Sequence, residues 1–148
     1  MIYRLFTFIA FASLIISCST GPEPIAYGRD GCAYCEMTIM DQRYGTELVT
    51  SKGKIFKFDS IECLVRYLKE GEAEQANVKL VLLTPFTHPE TLEDAHQSFI
   101  LHSPGMPSPM GMFLTAFKDE ATAQQFQEEN GGKIYTWKEL LDQFESLI

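Results

Sequence analysis

Residues 31–40 read GCAYCEMTIM and place two cysteines and two methionines within ten positions. Sulfur atoms at this spacing can serve four kinds of chemistry: a redox dithiol, one corner of a zinc site, a clamp for a soft metal ion, or a structural disulfide beside a core methionine. Other features of the sequence distinguish these four possibilities.

The alternation of residues 36–40 is typical of a β-strand. In an extended chain the side chains of Cys35, Met37 and Ile39 lie on one face. A thiolate and a thioether that converge are soft donors, which select Cu(I) over zinc, calcium or magnesium. Cys32, just before this strand, is either a further donor or the disulfide partner of Cys35. The pattern favours a Cu(I) clamp on Cys35 and Met37.

The other interpretations have weaker support in the sequence. A zinc site usually adds a second C-x-x-C or a pair of histidines, which the sequence does not offer. A thioredoxin-like motif opens a helix after a strand, whereas this motif follows a linker and precedes strands. A thiol–disulfide exchange protein using Cys32 and Cys35, or an interaction module with structural cysteines, remains the alternative function.

A second sulfur-rich stretch, HSPGMPSPMGM at 102–112, lies among prolines and glycines that prevent a continuous helix. Met112 opens a strand, where packing is the better interpretation. Met110 and His102 are equal candidates for a third copper ligand, because thioether and neutral imidazole both suit copper.

The cysteine count indicates a free or metal-bound thiol. The chain has four cysteines, and Cys18 is assigned to a lipid anchor below. Three remain, and an odd number outside the cytoplasm cannot all pair within one chain. Cys63 is first interpreted as a buried core thiol, with a sulfur near the metal as the alternative.

The N-terminus predicts export to the bacterial cell envelope, facing the periplasm or the exterior. Residues 1–17 carry one positive charge and an apolar run too short to span a membrane, as in a signal peptide. The ending IISC resembles a lipobox, in which Cys18 is lipidated; an ordinary secretory signal is the alternative. Residues 18–28, rich in small residues and proline, are predicted to tether the domain of residues 29–148 to the membrane.

The charge balance excludes some partners. The chain has 12 basic and 20 acidic residues and a net charge of −8. Such a surface repels nucleic acid and anionic lipid headgroups. High solubility is the simplest consequence of this charge.

The hydrophobic pattern predicts an α+β fold of two ββαβ-like halves, about 29–86 and 87–148, forming a pseudo-repeat. The first half has a hairpin (Glu47–Thr50 and Ile55–Phe58), a helix capped by Asp59 and ended by Gly71, and the strand VKLVLLTPF. The second half has the strands QSFILHS and MGMFLTAF, a helix ended by Gly131 and Gly132, the strand KIYTW and a short last helix.

These pieces in this order resemble the NosL family of copper-binding lipoproteins over nearly all of the mature chain. The resemblance is carried by the runs CAYCEMTIMDQRYGTEL, KFDSIECLVRYL, DAHQSFILHS and SPMGMFLTAFKDEATAQQFQEENGGKIYTWKEL. It implies a fold of paired ββαβ units and an extracytoplasmic chaperone that binds Cu(I) and catalyses no reaction.

The resemblance also implies partners and ligands. The recipient would be nitrous oxide reductase, an enzyme of denitrification, whose copper-sulfide centre is assembled in company with a membrane ABC transporter. The metal would be held by a C-x-M unit, which falls on Cys35 and Met37, and by a further ligand such as a histidine.

Overall fold

The first sheet carries the predicted hairpin and helix of the first half. The structure, a computed structural model, describes residues 21–71 and 77–147, so the predicted signal peptide and Cys18 lie outside it. The strands are β1 (Thr46–Thr50), β2 (Ile55–Phe58), β3 (Val78–Leu83) and the short β4 (Glu93–Asp94), in the antiparallel order β2-β1-β3-β4. Gly53, at φ 79, forms the tight turn between β1 and β2.

Helix α1 (Ile61–Glu70) connects this hairpin to β3. Its apolar stripe is buried, as the periodicity predicts. The predicted cap, Asp59, is wrong: Ser60 is the N-cap, in an extended conformation, and its side chain accepts a hydrogen bond from the Cys63 amide at 3.4 Å. This shift of one residue leaves the Asp59 carboxylate outside the helix.

Within the described residues, the second sheet has three strands. It contains β5 (Phe99–His102), β6 (Leu114–Phe117) and β7 (Lys133–Thr136), in the antiparallel order β6-β5-β7. Helix α2 (Glu120–Asn130) joins β6 to β7, α3 (Trp137–Gln143) follows, and 3-10 turns cover Ala95–Gln97 and Phe144–Ser146. In both sheets the first strand of the hairpin is central, a topology compatible with the predicted pseudo-repeat.

One hydrophobic core joins the two halves. Its buried side chains come from both sheets and from two helices, and include Leu48, Phe58, Leu64, Ile100, Leu114 and Leu140. A smaller cluster comprises Leu101, Met106, Phe117 and Ala123. Met106 is therefore a core residue despite its position in the proline-rich loop. None of the described helices has the length and apolar character needed to cross a membrane.

Residues 22–25, which we call the N-terminal strap, are bound to the first sheet. The Glu47 carboxylate accepts a hydrogen bond from the Glu23 amide at 3.2 Å. The Lys57 ammonium donates to the Pro24 carbonyl at 2.9 Å and to Asp30 at 2.8 Å. Part of the predicted tether is thus attached to the domain.

Candidate metal centre

Three cysteines and one aspartate meet at one end of α1. The ligand atoms of Cys32, Cys35, Asp59 and Cys63 all lie within 4.8 Å of one another. Cys32, Asp59 and Cys63 are buried, whereas Cys35 is half-buried. We call these four residues the cysteine cluster. All three thiols are unpaired in this structure.

A tight turn, rather than a strand, positions the first two cysteines. The Cys32 amide donates to the Met37 carbonyl at 2.8 Å and the Glu36 amide donates to the Cys32 carbonyl at 3.0 Å. Glu36 adopts a left-handed φ of 64°. The prediction that residues 36–40 form a strand with Cys35, Met37 and Ile39 on one face is therefore wrong: Ile39 is fully buried, whereas Met37 is 50% exposed.

The hairpin and α1 supply the other two donors. Asp59 directly follows β2, and Cys63 lies in the first turn of α1, where the Ser60 cap holds its backbone. The Ala33 amide donates to the Lys57 carbonyl at 2.8 Å, which fixes the Cys32–Cys35 turn against the end of β2. Residues far apart in sequence are thereby placed around one point.

The cluster makes its three cysteines electrostatically unequal. The pKa of Cys32 is lowered to about 6, chiefly because its sulfur accepts a hydrogen bond from Cys63, with backbone amides assisting. The pKa of Cys63 is raised, because that thiol donates to Cys32 and is buried. Burial also raises the pKa of Cys35. The arrangement therefore favours the thiolate form at Cys32 over Cys35 and Cys63.

Asp59 has an unused bonding capacity that points to a ligand. Its side chain is 5% exposed, and its Oδ1 atom is buried without a hydrogen-bond partner among the described residues. A buried carboxylate oxygen left alone loses its hydration without compensation. A cation held by the neighbouring sulfurs would supply the missing interaction.

The spacing of the donors fits a metal ion. With metal–sulfur bonds of about 2.3 Å, three sulfurs around one ion stand roughly 4 Å apart. The observed upper limit of 4.8 Å requires only a small contraction. Soft sulfur donors suit Cu(I), and the added carboxylate also makes a donor set that zinc accepts.

The predicted methionine ligands lie beside the cluster. Met37 lines a cavity of about 390 Å³ that Asp59 also lines. Met110 lines a second cavity, of about 190 Å³, together with Cys63. Each thioether therefore faces a space that reaches one member of the cluster.

His102 lies at the end of β5, paired with Leu114 of β6 and Lys133 of β7. Within the described residues the cysteine cluster includes no histidine. The roles of Met37, Met110 and His102 as copper ligands remain predictions.

Sequence reasoning missed Asp59 as a possible ligand and ranked Cys63 first as a core thiol. Cys63 is indeed buried, yet its sulfur belongs to the cluster. Asp59 lies before the helix cap and Cys63 in the first turn of α1, so no local periodicity in the sequence indicates that they converge.

Comparison with known proteins identifies a family and a similar fold. The family model described as NosL matches residues 26–144. The crystal structure of the copper chaperone NosL from Shewanella denitrificans is similar in fold, with a TM-score of 0.71 and 22% sequence identity, covering 81% of this chain and 95% of that chain. No curated protein sequence matches the chain.

Proposed function

Because this chain belongs to the NosL family, we propose that it binds Cu(I) in its cysteine cluster and carries it to a copper-requiring protein in the cell envelope. The observation that carries the proposal is the convergence of three sulfurs and one buried carboxylate within 4.8 Å. The similarity to a protein described as a copper chaperone supports copper as the cargo.

The cluster suggests how copper is taken up and released. The lowered pKa of Cys32 favours the negative charge that a thiolate ligand needs, so copper has an initial electrostatic partner. Cys35, the most exposed of the three cysteines, is the donor that an approaching partner can replace first. Transfer then proceeds by exchange of sulfur ligands, and no free ion is released.

The methionines extend this set of donors. Met37 is half exposed beside Asp59, where an incoming copper ion would first meet a thioether. Met110 is favoured over His102 as an additional ligand, because Met110 shares a cavity with Cys63. Small loop movements on binding are common in metal sites of this kind.

The destination of the copper is proposed from the family. Nitrous oxide reductase, or the ABC transporter complex that accompanies its assembly, is the expected recipient. A lipid on Cys18 would keep the chaperone at the membrane in which such a transporter lies.

Titration of the reduced protein with Cu(I) against a competing chelator tests the proposed function. We expect one Cu(I) per chain, and a zinc affinity far below it in direct competition. A zinc affinity equal to that for copper would contradict the chaperone proposal and assign the three sulfurs and the carboxylate to a structural zinc site instead.

The lowered pKa of Cys32 favours thiol–disulfide exchange as the second candidate function. However, Cys32 is only 3% exposed, so a protein disulfide cannot reach its sulfur without a rearrangement of the turn. We expect no catalysis of disulfide reduction in a standard assay with a protein disulfide substrate. Turnover that is lost in Cys32→Ser would support the exchange function.

A further inference from the structure

Glu62, the neighbour of Cys63 on α1, is a fully buried acidic residue. Its Oε1 atom accepts hydrogen bonds from the Ser108 hydroxyl and, at 3.4 Å, from the Leu114 amide. Its Oε2 atom is buried with no hydrogen-bond partner in the described part of the chain. Burying a carboxyl oxygen without a hydrogen-bond partner costs folding free energy, so such a group points to a functional role.

The partner of Glu62 lies in residues 103–113, which we call the methionine loop. The Ser108 hydroxyl also accepts a hydrogen bond from the Phe113 amide at 2.9 Å. Phe113 has a left-handed φ of 62°, which is strained for an aromatic residue. Ser108 thus connects α1 to the end of the loop, next to the strained backbone of Phe113.

The loop has a further attachment to α1, where the Arg66 guanidinium donates to the Met112 sulfur at 3.6 Å, and two attachments away from the cysteines. The Ser103 hydroxyl donates to the Asn130 carbonyl at 2.7 Å. The Tyr44 hydroxyl donates to the Pro107 carbonyl at 3.0 Å. The bonds of Glu62 to Ser108 and of Arg66 to Met112 fix residues 108–113 against α1, and the bond to Glu62 is the buried one of the two.

Met110 of this segment lies beside Cys63, next to the turn that carries Cys32 and Cys35. The cavity of about 190 Å³ is lined by Glu62, Cys63 and Met110, with Tyr34 and Arg66 completing the lining. Cys63 itself is fully buried. Movement of the segment around Met110 would widen this cavity and expose the Cys63 sulfur.

We propose that Glu62 is a positioning residue whose bond to Ser108 clamps the methionine loop onto α1 and limits access to Cys63. The proposal rests on the proposed function only in naming copper as the ion whose passage the clamp controls. Breaking the bond leaves the buried carboxyl group with only the longer hydrogen bond from the Leu114 amide, so the closed loop is favoured. Binding of another hydrogen-bond donor to Glu62, or of metal to the loop, would release it.

Alkylation of Cys63 in the metal-free, reduced protein measures opening of the clamp. Trypsin cleaves after Lys57 and Arg66, so Cys63 is isolated in the peptide Phe58–Arg66, separate from Cys32 and Cys35. Mass spectrometry of this peptide gives the alkylation rate of one thiol. In Ser108→Ala we expect this rate to rise about tenfold, the effect of losing one buried hydrogen bond.

Ser98→Ala is the matched control. Ser98 is also a buried serine, and its hydroxyl donates to the Asp94 carbonyl at 2.9 Å, outside the methionine loop. It should lower stability by a similar amount and leave the Cys63 rate unchanged. An equal acceleration in Ser98→Ala, or a wild-type rate in Ser108→Ala, would overturn the clamp.

Conservative replacement separates positioning from simple packing. Glu62→Gln keeps an oxygen that can accept from Ser108, whereas Glu62→Ala removes it. The Cys63 rate should increase from wild type to Glu62→Gln and again to Glu62→Ala. Equal rates in these two variants would mean that the carboxyl group fills space and does not act through Ser108.

A copper measurement completes the test. In Ser108→Ala, release of Cu(I) to a competing chelator should accelerate by the same factor as alkylation. Faster alkylation of Ser108→Ala, in a protein that binds no copper, would support the clamp proposal and refute the proposed function. Unchanged alkylation in a chain that binds copper normally would refute the clamp alone.

Discussion

Individual residues give the cysteine cluster its asymmetry. Donors around its sulfur lower the pKa of Cys32, while the pKa of Cys63 is raised because its thiol is one of those donors. Copper binding must displace the protons of Cys35 and Cys63, whereas the lowered pKa of Cys32 favours the thiolate that binds copper. The first contact and the final strength of binding therefore depend on different cysteines.

Titration of the thiolate tests this difference. In the reduced, metal-free protein, ultraviolet thiolate absorbance should show a step with a midpoint near pH 6, set by the lowered pKa of Cys32. Thiolate is the form present above the midpoint, so absorbance increases with pH. The step should disappear in Cys32→Ser. A single transition near the ordinary cysteine pKa of roughly 8.5 would contradict the described hydrogen bonds.

Replacement of Cys63 tests whether it is a ligand or only a core thiol. Cys63→Ser should weaken Cu(I) binding by more than the roughly 10- to 100-fold that outer partners of a metal site supply. Cys35→Ser should have a comparable effect, because both sulfurs lie in the cluster. Competition with a Cu(I) chelator measures each variant. Wild-type Cu(I) affinity in Cys63→Ser would show that Cys63 is a core thiol and not a ligand.

At the scale of elements, the start of α1 is the decisive structure. Ser60 caps the helix, Asp59 and Cys63 face the cluster, and Glu62 holds the methionine loop, all within the first turn and its approach. Displacement of this turn by a fraction of an ångström would change the metal site and the clamp together.

Loss of the α1 cap should therefore affect both stability and metal binding. Ser60→Ala should lower the free energy of unfolding by about 1 kcal/mol and weaken Cu(I) binding, because the Cys63 amide loses its acceptor. Thr136→Ala is the matched control: it removes the capping box of α3, with a similar loss of stability. Denaturant unfolding and chelator competition should separate the variants. Equal copper affinities in the two variants would show that the cap does not position Cys63.

The elements could be predicted from sequence where their hydrophobic pattern is local. The β1–β2 hairpin, α1 and α2 follow from alternation, helical periodicity and terminal glycines. The turn at 31–37 could not, because its alternation is identical to that of a strand. Only the left-handed φ of Glu36 and the pairing of Gly31 with Thr38 distinguish the two, and neither has a local signal.

The candidate site was predicted in part for the same reason. Cys32 and Cys35 are recognisable because they lie close together in sequence. Cys63 lies near them because the Ala33–Lys57 hydrogen bond attaches the cysteine turn to the end of β2, just before α1. That contact depends on tertiary packing. Asp59 was assigned to the helix cap, a position for which aspartate and serine have nearly equal preference.

At the scale of the whole molecule, a continuous core and the N-terminal strap couple distant regions. Lys57 contacts the strap with its ammonium group and the cysteine turn with its carbonyl. Glu47, its cross-strand neighbour, is fully buried in β1 and accepts from Glu23. Attachment of the strap therefore depends on a buried carboxyl group.

This group should make stability depend on pH. Burial raises the pKa of Glu47 to about 7, above its usual value of 4.5, so the protonated form is favoured in the folded state. The contribution of Glu47 to the free energy of unfolding is fully present below pH 4.5 and is lost as pH rises through 7. It amounts to at most about 3 kcal/mol.

Unfolding measured across this pH range should show the decrease in wild type, and Glu47→Gln should remove most of it. An identical pH dependence in the two proteins would show that other groups cause it.

The strap also determines how far the copper site can travel. Four residues separate Cys18 from Glu23, the first described residue hydrogen-bonded to the sheet, which makes five residue-to-residue steps. At about 3.5 Å per residue, they span at most roughly 17 Å, little more than the radius of gyration of about 14 Å expected for a domain of this size. With a lipid on Cys18, as the sequence predicts, the chaperone would search for its recipient in two dimensions, within one thin layer above the bilayer. A recipient whose copper entrance opens into that layer would meet it at a high local concentration, while one whose entrance lies further out would be beyond its reach.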